Sequence, residues 1–161
     1  MMTFYDKAIH MLKVDEGIRY FAYNDLDGKR HKSPIGKLTI GVGRNLEDVG
    51  LFTDEVDYLL KNDINRKVLD VVKIFPDYNN YSEVRRLALL NMCFQLGKAG
   101  LEGFKTTVNL IKKEEWSEAS QQALKSKWAT QAPNRAKRVC LMLRFNLNPY
   151  DKILTKYNSD L

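Results

Sequence analysis

Cysteine, histidine and proline are all scarce in this chain: two, two and four residues among 161. Cys93 and Cys140 each sit among apolar residues in helical-looking segments, so they read as reduced, buried thiols and not as a disulfide framework. His10 and His31, with the cysteines far away in sequence, do not make a zinc site. The prolines are isolated, and no Ser-rich or low-complexity stretch marks a linker or a repeat. Apolar runs are only a few residues long, which excludes a membrane-spanning helix. The first fifteen residues carry Asp6, Lys7, His10 and Lys13, and these interrupt the apolar core that an export signal needs. Two partial motifs also fail. Asp25 and Asp27 begin like a calcium loop, but Lys29 and Gly36 stand where later ligands belong. Gly41 and Gly43 begin like a dinucleotide loop, but Leu46 replaces the third glycine. No metal and no cofactor are expected.

The composition that remains is that of an ordinary globular protein, 44% hydrophobic and 29% charged, long enough to bury a core without covalent staples. A single domain over residues 1–161 is expected. The net charge of +6 is unevenly spread. Residues 1–80 hold 12 Lys and Arg against 13 Asp and Glu, whereas residues 81–161 hold 14 against 7. A basic half suggests an anionic partner: nucleic acid, a membrane surface or the acidic bacterial wall. With no helix-turn-helix, stacking-strand or zinc motif, nucleic acid is not the expected one, and no stable membrane insertion is expected either.

Apolar periodicity divides the chain into a small lobe and a large one. Phe4, Ala8, Met11, Leu12 and Asp15 fall at three- and four-residue steps, predicting an amphipathic helix from Thr3 to Glu16 stopped by Gly17. Tyr20–Tyr23 and Leu38–Gly43 read as short strands joined by turns. From Thr53, a candidate N-cap followed by Asp54 and Glu55, the signal is helical as far as Pro76. A further helix runs from Ser82 to Leu96, ended by Gly97, and others are predicted over 104–113, 117–127 and 134–145, the last opened by Pro133. The expected class is α+β, mainly α. A β-containing lobe of about residues 17–52 lies against a helical lobe of 1–16 and 53–161, with a cleft between them that suits a polymer.

Two carboxylates flank the first fold-back. Glu16 ends the first helix and Asp25 lies in the turn after the first strand-like segment. Glycoside hydrolysis needs such a pair, one protonated to release the leaving oxygen and one ionised to activate water or attack carbon. An Asp in a turn and a Glu beside a helix-ending Gly are also common without any chemistry. What singles this pair out is its company. Asp15-Glu16-Gly17-Ile18-Arg19, Tyr23-Asn24-Asp25 and Leu38-Thr39-Ile40-Gly41-Val42-Gly43 resemble the catalytic segment of phage lysozymes of the T-even type, glycoside hydrolase family 24. Val84 to Gly97, and Trp116 to Val139 with Gln131-Ala132-Pro133-Asn134-Arg135, resemble two further blocks of that family in the same order.

The resemblance implies a lysozyme-like fold and an endo-acting muramidase that hydrolyses the β-1,4 bond between N-acetylmuramic acid and N-acetylglucosamine in peptidoglycan with inversion. It implies Glu16 as general acid, Asp25 as the second carboxylate and Thr39 as the residue that helps hold the water. A carboxyl separation of about 6.5–9.5 Å would follow. Arg135 matches the arginine that pairs with the acid; by its residues alone it reads equally as part of a basic helix face with Lys137 and Arg138. A guanidinium beside a carboxyl favours the ionised form, whereas burial favours the protonated form that an acid catalyst needs. Asn91, Phe94 and Gln95, at i, i+3 and i+4, can line the cleft, although Phe94 also suits a core. Thr107 and Gln122 stand where the family has substrate-contacting Ser and Asn. Trp116 and Trp128 read as core. The biological setting implied is bacteriolysis by a monomeric, phage-encoded endolysin in the host cytoplasm, dependent on a holin-type protein to reach the wall. Between Asp25 and Thr39 stand thirteen residues instead of the family's five, with Arg30, Lys32 and Pro34 among them. Arg44 follows Gly43 where the T-even type has His, so the small lobe is expected to be rebuilt.

Overall fold

The computed structural model of the chain describes residues 2–23, 29–32 and 36–151. Its first helix, α1 (Phe4–Glu16), begins as the pattern requires. The Thr3 side chain accepts the Asp6 N–H while the Asp6 carboxylate accepts the Thr3 N–H, a reciprocal cap that satisfies both of these backbone donors. At the other end Gly17, with φ +72°, turns the chain out of the helix, and its N–H closes onto the Lys13 carbonyl. A side chain is strained at that φ, which is why the helix bearing Glu16 stops where it does.

The small lobe is held by few backbone bonds. An antiparallel pair, β1 (Thr39–Ile40) and β2 (Arg44–Asn45), registers Thr39 with Asn45 and Ile40 with Arg44. Of the strand expected over Tyr20–Tyr23, one bridge from Tyr23 to Arg30 forms, supported by the His31 N–H donating to the Ala22 carbonyl. The lobe is instead tied together by arginines. Arg30 donates to the Glu47 carbonyl with its guanidinium 3.9 Å from the Phe21 ring centre. Arg44 donates twice to the Gly50 carbonyl and once to Glu55 on the next helix (2.7 Å). Gly50 itself admits no side chain: at φ +70° a Cβ would stand 2.4 Å from the Tyr20 carbonyl oxygen. That close approach lets the Leu51 N–H reach the same carbonyl (2.7 Å).

The large lobe is helical: α2 (Thr53–Ile74), a 3₁₀ turn (Tyr78–Asn80), α3 (Glu83–Glu102), α4 (Lys105–Lys112), α5 (Trp116–Leu124), α6 (Lys127–Gln131) and α7 (Pro133–Phe145). Thr53 is the first helical residue and not the cap. Phe52 takes that place, and its N–H is accepted by the Glu55 carboxylate (2.8 Å). The helix expected over 117–127 divides into α5 and α6 because Ser126 caps the second piece, accepting the Ala129 N–H. The chain does leave helical geometry at Gly97, then resumes for one more turn. In α3 every residue from Leu87 to Cys93 is buried, and α1, α2 and α7 pack around it. Each fully buried Leu there contributes roughly 1.5–3 kcal/mol. The class is α+β, mainly α, with one small two-stranded sheet among the described residues. Cys93 and Cys140 are free and buried, and burial pushes both thiols up to about 11.

Candidate active site

The site grows from an acid in an apolar position. Asp15 lies on the inner stripe of α1, one turn beyond Met11 and Leu12, and only 1% of its side chain is exposed. A buried carboxylate is costly unless charge and hydrogen bonds compensate. Four donors from three parts of the chain converge on it. Asn91 Nδ2 of α3 donates to Oδ2 (2.7 Å), as does the Tyr150 hydroxyl beyond α7 (2.7 Å). Arg135 Nε of α7 also donates to Oδ2 (3.1 Å), and Arg138 closes onto Oδ1. Burial alone would raise the Asp15 carboxyl, but the bonds from Asn91 and Tyr150 and the charge of Arg135 outweigh it and hold the group below its ordinary value. Burial and the neighbouring carboxylate push the Tyr150 hydroxyl well above its ordinary range, keeping it a donor.

Glu16 is the reverse of its neighbour. Its side chain is 43% exposed, and its Oε1 accepts one bond from Arg135 Nη2 (2.7 Å). Arg135 is buried and bonds Asn91 Oδ1 through Nε (2.9 Å), so its fork is fixed before it meets Glu16. One guanidinium therefore bridges the buried Asp15 and the exposed Glu16 from α7. Glu16 opens onto a cavity of about 210 Å³ whose walls include Ile18, Arg19, Tyr23, Leu60 and Phe94. Lys13 also lines it, paired with Asp57 of α2 (2.6 Å).

The other site residues named from sequence distribute as follows. Phe94 shares the Glu16 cavity. Asn91 does not: it is fully buried beneath the site, bonded to Asp15 and Arg135, so its place as a cleft-lining residue is corrected to one that supports the arginine. Gln95, at the surface of α3, accepts the Trp128 indole N–H (2.7 Å). Trp128, expected as core, is buried yet shows an edge to a second cavity of about 480 Å³. Thr107 and Gln122 line that same cavity, with Lys105, Lys125 and Lys127 at its margin. Thr39 is exposed on β1, and its hydroxyl donates back to the Lys37 carbonyl (3.0 Å); it is not among the residues around Glu16. Asp25 and Asp27 lie outside the described residues. No group of His, Cys, Asp and Glu among the described residues could hold a metal ion.

Asp15, Arg138 and Tyr150 had no place in the sequence-derived site. The first was legible in principle, as a lone acid on an apolar stripe that demands a cationic partner; Arg135 and Arg138, three apart in α7, are that partner.

Asp15→Ala strands two arginines, and the expected loss is roughly 3–5 kcal/mol of unfolding free energy. Because the folded carboxyl sits below its ordinary 3.8, its contribution is complete above that value and disappears as pH falls below 3.8 through the folded value. Chemical unfolding at pH 7 and pH 3 checks this: the gap between wild type and Asp15→Asn should shrink at the lower pH. A gap that is unchanged or wider at pH 3 contradicts the account.

Comparison with known proteins places the chain in a family. A family model described as phage lysozyme matches residues 13–144, a span that begins just before Asp15 and Glu16 and closes after Arg135 and Arg138. Two relatives from Dictyostelium discoideum, probable T4-type lysozymes 1 and 2, are 27% and 28% identical. The first alignment covers 87% of this chain and 95% of the relative, and the second covers 80% and 88%. The pre-baseplate central spike protein Gp5 of Enterobacteria phage T4 is 30% identical over 87% of this chain, a match to 28% of its own length. With the family model covering most of the chain and the acid-bearing helix end inside it, the chain belongs to the phage lysozyme family and is a glycoside hydrolase of peptidoglycan.

Proposed function

We propose that the chain cuts the bond between N-acetylmuramic acid and N-acetylglucosamine by single displacement with inversion, with Glu16 as the proton donor. The observation that carries this reading is the Arg135 bond to Glu16 at 2.7 Å, made by a guanidinium already anchored on Asp15 and Asn91. A fixed arginine sets the carboxyl group in place while leaving it open to the cavity it shares with Phe94. Orientation of this kind lowers the barrier because the donor no longer has to be positioned during the reaction. A sugar laid over Glu16 excludes water from a carboxyl that is otherwise half exposed and brings the leaving oxygen within its reach. Asp25 is the group that activates or positions the attacking water, with Thr39 assisting. Phe94, Thr107 and Gln122 contact the strand along the two cavities, and Gln95 from the exposed surface of α3.

Peptidoglycan clearing tests these roles together. Glu16→Gln should lose at least a hundredfold in rate with its fold intact by circular dichroism, since an amide has no proton to give. Asp25→Asn should lose most activity and Asp27→Asn little. Clearing by Glu16→Gln within tenfold of wild type removes Glu16 as the acid, and the opposite ranking of the two aspartates assigns the second role to Asp27.

The setting that suits this activity is lysis of a bacterial host from its cytoplasm, as a monomer, after a separate holin-type protein has opened the membrane. One feature favours it: the charge excess in residues 81–161, suited to an acidic wall. No helix among the described residues is long and apolar enough to cross a membrane. When the chain is produced inside bacteria, culture turbidity should fall only after the inner membrane is permeabilised. Lysis that begins without that step contradicts the dependence.

A further inference from the structure

The Glu16 cavity holds a cation that the reaction described above does not use. Arg19 lines the cavity two residues beyond the helix-ending Gly17, and it is exposed. The other cations near Glu16 are committed: Lys13 to Asp57, and Arg135 to Asp15 and Glu16. Arg19 pairs with no acid among the described residues; its guanidinium carbon lies 5.8 Å from the centre of the Tyr23 ring. Tyr23 lines the same cavity with 47% of its surface exposed. An aromatic face beneath a guanidinium restrains it while leaving its donors open, the arrangement in which arginine receives a planar carboxylate with two parallel bonds.

Resting on the lysozyme reading, we propose that Arg19, braced by Tyr23, is a specificity residue that binds a carboxylate of the glycan strand beside the scissile bond. The acetamido sugars are neutral, so the acid must come from one of two places on the muramyl residue: its own lactyl carboxyl when no peptide is attached, or a carboxyl of the stem peptide. Both are the same chemistry for a guanidinium. The contact acts on binding and not on proton transfer, so its loss should appear in KM.

The test pairs a charge change on the enzyme with one on the substrate. Wild type, Arg19→Gln and Arg19→Lys are assayed on three solubilised glycan preparations: peptide-bearing strands, amidase-stripped strands, and peptide-bearing strands with all carboxyls converted to amides by carbodiimide and excess ammonium chloride. Lys61→Gln, an exposed α2 cation outside the cavity, controls for net charge. On acidic strands Arg19→Gln should raise KM about three- to tenfold with kcat within twofold, and Arg19→Lys should recover only part of the loss, because an ammonium lacks the fork. On amidated strands wild type and Arg19→Gln should be alike. A loss confined to peptide-bearing strands assigns the stem carboxyl, and one confined to stripped strands assigns the lactyl carboxyl. An equal loss on amidated strands, a loss matched by Lys61→Gln, or no loss on either acidic strand overturns the proposal. Wild type inactive on all three preparations would instead overturn the lysozyme reading.

Discussion

The structure around the active site depends on one buried carboxylate. Asp15 draws Asn91, Arg135, Arg138 and Tyr150 together from α3, α7 and the segment beyond it, and so fixes the end of α1 against α3 and α7. Taking a carboxylate out of water is expensive, and only replacement of the whole ionic cluster by well-packed apolar residues, not of Asp15 alone, would leave stability unharmed. What the acid provides is position. Its bonds orient the Arg135 fork, and the same fork holds Glu16 (2.7 Å) at the cavity mouth. Adjacent acids at one helix end thus divide the work, one buried and tied down, the other half exposed and available for chemistry.

The small lobe follows a different physical rule. Among its described residues the sheet has two residue pairs, and much of the apolar surface is exposed. The lobe is fastened by side-chain to backbone bonds: Arg30 to Glu47, Arg44 to Gly50 and across to Glu55 at the start of α2. Bonds of this kind open more readily than a packed core. The helices, by contrast, pack around an entirely buried stretch of α3.

Much of the fold was legible because helices announce themselves by period and by caps. Thr3, Gly17, Ser82, Gly97 and Pro133 all act at the ends or breaks the sequence suggests. The strands were less so, since Tyr20–Tyr23 alternates too little to separate one face from the other, and its pairing is made by a distant residue, Arg30. Within the site, Glu16, Arg135 and Phe94 come together as local spacing and family resemblance suggest. Asn91 was misplaced because helical spacing gives the direction of a side chain around α3 but not which neighbour covers it. The position of Asp15 was visible, but its role needed the third dimension: a donor 120 residues away in sequence meets it only once α7 has packed onto α3.

Glu16 protonating the oxygen that leaves an N-acetylmuramic acid carbon is the central claim, and the ends left by cleavage report on it directly. After digestion of purified peptidoglycan and reduction with borohydride, new reduced ends should be muramitol, appearing with wild type and absent with Glu16→Gln. Glucosaminitol ends, or muramitol ends that persist at wild-type rate in Glu16→Gln, would contradict the account.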